Sequence, residues 1–347
     1  MDNVSATSTP AEWPARGSKV RPRQGAWMRA AAAALSPAGA RARLTILIFH
    51  RVRATPDSLF PGAMDARMFR ERMEWARSWF RILPLREAVA ALKRGVLPPR
   101  AMSVTFDDGY ADNQEIALPI LRDLDLHATF FVASAFIDGG CMWNDGVIEA
   151  LRRSRHPRLD LSPLGLGVHA LDSDAARRSV IEALLTALKY RSPRERLESV
   201  EALATIAGVA VPNDLMMTTS AVRDLAAAGM DIGAHTMTHP ILARIASAEA
   251  RNEIAGGREA LAGMVGRSID LFAYPNGRPG IDYTHEHVAM VRALGFGAAV
   301  STRRGAARSS ETSLFELPRF TPWDRTPGRW GIRLLQHLVV PAEKGAA

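Results

Sequence analysis

Residues 101–109 read Ala-Met-Ser-Val-Thr-Phe-Asp-Asp-Gly, six residues of strand length running straight into a carboxylate pair and a turn glycine. An apolar run of this length bounded by Asp-Gly reads as a strand buried on both faces, with its carboxyl end opening onto a loop. Working outward, comparable strand-length runs fall at 44–49, 127–133, 230–234, 270–274, 296–301 and 317–320. Helix-like segments separate most of them, at 67–80, 87–93, 113–124, 220–228, 247–265 and 286–294, and the first places Phe69, Met73, Ala76 and Phe80 on one face. Strands buried on both sides and alternating with helices predict a parallel sheet. About seven such units predict closure, so the expected fold is α/β, a distorted (β/α)7-type barrel. Residues 141–217 break the rhythm. They show no strand pattern and helical patterns at 146–153, 174–189 and 193–206, and are expected to form a helical insertion.

The chain has 347 residues, 47% hydrophobic and 23% charged, the balance of a soluble globular protein. Its longest apolar stretches fall well short of the roughly 20 residues of a bilayer helix. The net charge of +8 first suggests nucleic acid or anionic lipid as a partner. Located along the chain, however, the charge sits at the ends. Residues 1–53 carry nine Lys/Arg against Asp2 and Glu12, residues 301–347 carry eight against four acids, and residues 54–300 net −3. Residues 1–43 are therefore expected to be a basic tail, disordered over about the first 25 residues, with a short Ala-rich helix at 27–40. Residues 44–325 form the domain, and residues 326–347 a basic C-terminal segment. The Ala-rich stretch lacks the Leu content of a secretion signal, so a cytoplasmic protein is expected, with peripheral contact to anionic membrane through its ends. Specific nucleic-acid binding is not expected. The single Cys141 excludes an intrachain disulfide and a thiolate metal cluster.

The chemistry lies where strands end, the face on which parallel α/β folds bind ligands. Four predicted strands end in reactive groups: at His50, at Asp107-Asp108-Gly109, at His235 and at Tyr274-Pro275-Asn276-Gly277. Taken alone, Asp107-Asp108-Gly109 reads most simply as a solvated turn. His235 and His239 are four residues apart, and the pair faces one way if the second begins a helix. Together with one carboxylate they make a facial triad for zinc, cobalt, iron or nickel, leaving the neighbouring Asp spare as a general base.

At these residues the chain resembles the polysaccharide deacetylase family, carbohydrate esterase family four, which shares the chitooligosaccharide deacetylase homology domain. The motifs are Thr105-Phe106-Asp107-Asp108-Gly109, His235-Thr236-Met237-Thr238-His239 and Phe272-Ala273-Tyr274-Pro275-Asn276-Gly277, with a looser Ala128-Thr129-Phe130-Phe131 strand. The resemblance covers roughly residues 44–320, without most of the insertion. It implies a metal-dependent hydrolase that removes N-acetyl groups from an N-acetylhexosamine-containing polysaccharide or glycan precursor, lipid-linked precursors included. By position, Asp108, His235 and His239 match the ligands of one divalent ion, zinc foremost, with cobalt, nickel or iron also accepted. Asp107 matches the general base, and the backbone N–H of Tyr274 the donor to the oxyanion.

Three departures qualify the match. The family's usual acid is a histidine near the C-terminus, yet beyond Ser301 the only histidine is His337, in a segment that reads as a terminal helix. His50, in Ile48-Phe49-His50-Arg51-Val52, is instead similar to the opening motif of the permuted poly-N-acetylglucosamine deacetylase branch. It is the favoured acid, a structural role being the alternative. The base-orienting arginine expected three residues before the tyrosine is Leu271 here, and Arg319 is the candidate replacement. No fourth, Trp-containing motif is found. Trp143 offers either a sugar-stacking ring or a core residue, while Tyr110 and Asn276 are candidates to touch substrate. The missing arginine keeps open a catalytically weakened glycan-binding protein as the alternative function.

Overall fold

A computed structural model describes residues 22–309 and 312–346, so most of the expected tail lies outside the described residues. The elements in chain order are α1 (Pro22–Leu35), β1 (Arg43–Phe49), α2 (Ala66–Trp79), β2 (Arg81–Ile82), α3 (Leu85–Lys93), β3 (Ala101–Phe106), α4 (Leu118–Asp123) and β4 (Thr129–Val132). The insertion follows with α5 (Trp143–Arg153), β5 (Arg158–Asp160), β6 (Val168–Ala170), α6 (Asp174–Leu188) and α7 (Pro193–Ala207). The main fold resumes with α8 (Thr219–Ala227), β7 (Asp231–Ala234), α9 (Ser247–Val265), β8 (Leu271–Ala273), α10 (His285–Ala293), β9 (Ala298–Val300), β10 (Ala307–Arg308) and α11 (Pro327–Val339).

The sheet runs β10-β1-β3-β4-β7-β8-β9, with β2 beside the start of β3. Every neighbouring pair is parallel except β1 with β10. The two open sides are joined by residues 317–320. Leu317 bridges Val300 and Phe320 bridges Leu47, both in parallel, with Ser301 N–H donating to Leu317 O at 2.9 Å and Phe320 N–H to Ile46 O at 2.7 Å. Seven parallel segments thus curl into the expected barrel-like sheet, the last held by two bridges only.

Alternate strand residues feed two separate cores, as the two-residue period of a strand requires. Leu44, Ile46, Leu271, Ala273, Val300 and Leu317 cluster with α3. Leu47, Phe49, Val104, Phe106, Phe130 and Phe272 cluster with the other surrounding helices. The rings of Phe106 and Phe130 stack at 4.8 Å. Outside the sheet, Trp330 of α11 packs against Trp75 and Trp79 of α2, with ring centroids 5.9 and 5.5 Å away.

Two expectations are corrected. The Ala-rich helix spans Pro22–Leu35 rather than 27–40. Pro37 bars its continuation, and Ser36 is turned out to exchange hydrogen bonds with Arg43. The insertion also contains a hairpin, β5 paired antiparallel with β6, where no strand was expected. Three-residue strands, of which Leu159 alone is buried, leave no periodicity to read. The insertion has its own core, in which Val147, Leu151, Ile181, Leu184, Val200 and Leu203 meet. Among the described residues, no helix is long and apolar enough to cross a membrane.

Trp330 is fully buried in the aromatic cluster. Trp330→Ala is expected to lower stability by about 3–5 kcal/mol, read as a fall in the chemical denaturation midpoint; an unchanged midpoint would mean α11 is undocked in solution.

Candidate active site

Asp107 and Asp108 follow β3 directly, and the Asp107 N–H still donates to Phe49 O at 2.9 Å, so the turn begins with the sheet ladder intact. Asp108 and Gly109 then both adopt left-handed backbone, φ 79° and 94°. A Cβ on Gly109 would meet Val132 Cγ1 at 2.9 Å, so both dihedral and space require glycine there. Of seven described non-glycine residues with positive φ, four are Asp108, Thr236, His239 and Asn276. Such backbone costs energy and gathers where surrounding structure over-determines it.

Arg319 reaches Asp107 from the segment that joins the sheet edges. Its two terminal nitrogens donate to the two Asp107 oxygens at 2.6 and 2.7 Å, and its Nε donates to Ser301 O at 3.0 Å. Both side chains are buried. Burial alone would raise the Asp107 carboxyl; the Arg319 guanidinium, with His235 and His50, outweighs it and holds the group below the ordinary carboxylate value. The arginine missing before Tyr274 is thus replaced in space by Arg319.

His235 and His239 converge on Asp108, each Nε2 lying 3.4 and 3.5 Å from Asp108 Oδ1. His235 Nδ1 is 2.7 Å from Ala273 O. A carbonyl only accepts, so Nδ1 carries the proton and the Nε2 lone pair is left facing the cluster. His239 is pushed down to about 4 by burial and by His235, so it is neutral, the form that ligates. One donor atom from each of the three residues lies within 4.8 Å of the others. Two imidazoles and a carboxylate suit a borderline divalent ion, and ligand bonds of about 2.1 Å at tetrahedral angles would separate donors by about 3.4 Å. The residues present therefore fit such an ion.

The histidine pair faces one way without a helix beginning at the second residue. After β7 the chain turns through left-handed Thr236 and His239, φ 62° and 55°. Glu253 of α9, which sequence reading missed, holds this turn by accepting from the N–H groups of Met237 and Thr238 and from the Thr238 hydroxyl, at 2.7–2.9 Å. Gly257 lets α9 approach, since a Cβ there would lie 2.7 Å from Thr236 O. The only sequence signal was the Gly256-Gly257 pair within a helical pattern.

His50 is exposed at the end of β1 and lines a cavity of about 310 Å³ together with Asp107, Asp108, His235, His239 and Arg319. The Asn113 side chain donates to His50 O at 2.7 Å. His337 is on α11, buried against the Phe320 ring at 5.0 Å, and does not line this cavity. Burial and Arg333 push it down to about 4.

Tyr274, Asn276 and Trp143 also line the cavity. The oxyanion assignment of Tyr274 is corrected: its N–H donates to Val300 O at 3.2 Å, because sheet pairing continues one residue past β8. Tyr110 is corrected too. It is buried outside the cavity wall, its hydroxyl donating to Asp145 at 2.9 Å under the guanidinium of Arg51. Burial pushes the Asp145 carboxyl up to about 6. Trp143 is half-buried, one ring face covered by Arg196 at 5.2 Å.

The family model described as polysaccharide deacetylase matches residues 94–299. The Bacillus subtilis (strain 168) protein YxkH is 30% identical over 93 residues, which is 26% of this chain and 32% of that protein. The chain thus aligns with about a third of that curated relative's length. Among solved structures, the Streptococcus pyogenes deacetylase PplD in complex with acetate superposes with TM-score 0.55 at 18% identity, over 85% of this chain and 98% of that one. IcaB from Ammonifex degensii gives 0.54 at 18%, over 88% and 99%. The BpsB deacetylase domain from Bordetella bronchiseptica gives 0.51 at 16%, over 80% and 95%. At these identities the likeness is one of fold.

Glu253 carries three hydrogen bonds that shape the His235–His239 turn. Glu253→Gln is expected to weaken divalent-metal affinity by about 10-fold or more without unfolding α9, as measured by calorimetric zinc titration; unaltered affinity would mean the turn is set without it.

Proposed function

The chain belongs to the polysaccharide deacetylase family, and from that premise we propose that it is a metal-dependent hydrolase removing N-acetyl groups from an N-acetylhexosamine in a glycan or glycan precursor. The observation that carries this reading is the buried, bidentate Arg319–Asp107 pair beside the Asp108, His235 and His239 cluster, in one cavity with His50. A protein that only held a sugar would have no need of an oriented, ionised carboxylate next to a ligand set. The alternative of a weakened glycan-binding member rested on the lack of a base-orienting arginine, and Arg319 removes that ground.

Asp108, His235 and His239 would hold the divalent ion, with zinc foremost and cobalt, nickel or iron suited to the same donors. An ion held there supplies Lewis-acid polarisation of the acetamide carbonyl. Asp107 takes the proton of the attacking water. Each of its oxygens accepts one Arg319 bond and keeps a second lone pair, so orientation and basicity are compatible. His50, exposed at the cavity mouth with its backbone tied to Asn113, gives a proton to the leaving amine. Asn276 and Trp143 present a polar group and a ring to the sugar. The protein acts on N-acetylated glycan rather than nucleic acid, since Asp107, Asp108, His235 and His239 belong to the faintly acidic middle of the chain.

Asp107→Asn is expected to lower acetate release from N-acetylglucosamine oligosaccharides by about 10²–10⁴-fold while the metal content found by elemental analysis stays near one per chain. Retained turnover would overturn the base assignment. His50→Ala is expected to lose about 10²-fold or more, whereas His337→Ala, at a residue that does not line the cavity, changes the denaturation midpoint and not turnover; the reverse pattern would make His337 the acid.

A further inference from the structure

Beside the catalytic cluster, the cavity wall is built by the insertion. Lys189, just past α6, and Arg196 of α7 line the same cavity as Asp107 and His239. They also line an adjoining cavity of about 310 Å³, walled further by Arg191, Arg244 and Tyr190. Ile241 is common to both, so the two cavities form one groove leading away from the acids. No acidic residue lines the second cavity.

Arg196 is the decisive group. It is 7% exposed, its Nε has no hydrogen-bond partner, and among the described residues no carboxylate lies within ion-pair distance of it. Burial lowers its pKa. Its one partner is the face of Trp143. Lys189 and Arg244 lie over the Tyr190 ring, at 5.7 and 5.4 Å, and among the described residues neither forms an ion pair. Asp282 lies close enough to feel Lys189 and Arg244, yet forms no ion pair with either. Elsewhere around the rim the arginines are matched: Arg51 with Asp112, Arg152 with Asp57, Arg319 with Asp107. A buried guanidinium without a counter-charge is costly, and is tolerated where a ligand brings the missing anion.

We propose that this groove is a subsite for a phosphoryl group carried by the N-acetylated sugar, so that the substrate class is a phosphorylated or diphosphate-linked N-acetylhexosamine. This rests on the deacetylase reading of the neighbouring residues and adds what the substrate carries beyond its acetamide. Arginine forks match phosphate oxygens in pairs. Four cations that form no ion pair among the described residues exceed what one carboxylate needs and suit a group of charge about −2 or more. Trp143 lines the first cavity against Arg196, which is common to both halves, so a sugar ring beside Trp143 would have its acetamide toward the acids and its phosphoryl group toward the cations.

The test uses the zinc-loaded full chain carrying Asp107→Asn, so that binding is read without turnover. Calorimetry compares N-acetylglucosamine, N-acetylglucosamine 1-phosphate and N-acetylmuramic acid. The phosphate is expected to bind about 10-fold or more tightly than the neutral sugar, and Arg196→Gln or Lys189→Gln to reduce that ratio by about 10-fold. Lys189→Gln, at a half-buried position outside the insertion core, keeps the test alive if Arg196→Gln fails to fold. Equal affinities, or a preference that survives Lys189→Gln in folded protein, would overturn the subsite. A preference for the muramic acid alone would overturn the phosphoryl assignment in favour of a carboxylate. Acetate release by the unmodified chain from the soluble sugar phosphate and from a micellar lipid diphosphate sugar separates the two sources of phosphate. If neither these nor neutral oligosaccharides release acetate while the binding preference holds, it is the deacetylase reading that fails.

Discussion

The bidentate contact between Arg319 and Asp107 couples the architecture to the chemistry. Arg319 lies in the segment that bridges β9 and β1, and its guanidinium touches the ends of two strands, at Asp107 after β3 and at Ser301 after β9. Only two backbone bridges hold that segment in the sheet, so the buried ion pair is part of the closure. A charge pair with both partners inside the protein tolerates no half-measures, because loss of either leaves an uncompensated buried charge. The same bonds keep Asp107 ionised and aimed at the cavity, so one contact serves both the closure of the sheet and the orientation of this carboxylate.

The ligand cluster follows a different logic. Asp108 and His239 sit on left-handed backbone, and the turn that carries His239 is held from behind by α9, where Glu253 satisfies the turn's N–H groups and Gly257 admits close approach. Helices of this fold thus do more than cover the sheet. The insertion extends the arrangement outward. Its own apolar core lets it present Trp143, Lys189 and Arg196 as a wall of the cavity that Asp107, Asp108, His235 and His239 also line.

Much of the fold was legible because strands buried on both faces leave continuous apolar runs, and because long amphipathic helices such as α9 carry a clear period. The Asp-Asp-Gly and His-x-x-x-His residues were legible as well, since each lies within a few positions of a strand end. The hairpin of the insertion was not, because strands three residues long have no period to detect. Tyr110 and the Tyr274 N–H were misjudged for one reason: adjacency in sequence to a reactive turn does not say whether a group faces the cavity, the sheet or a buried partner such as Asp145.

The sequence by itself determined the parallel barrel-like architecture, the place of the reactive turns on one rim, and the donor types that could meet there, since burial pattern and local chemistry are written residue by residue. Only the tertiary structure decided which groups meet. Arg319 and Asp107 stand 212 positions apart, and the Glu253 carboxylate holds a turn 15 and 16 residues upstream through a helix it shares with no motif. Likewise, four cations spread over three segments line the second cavity, whose wall holds no carboxylate. Contacts of this kind depend on how the barrel closes and how the helices and the insertion dock, and these are properties of packing that no local pattern encodes.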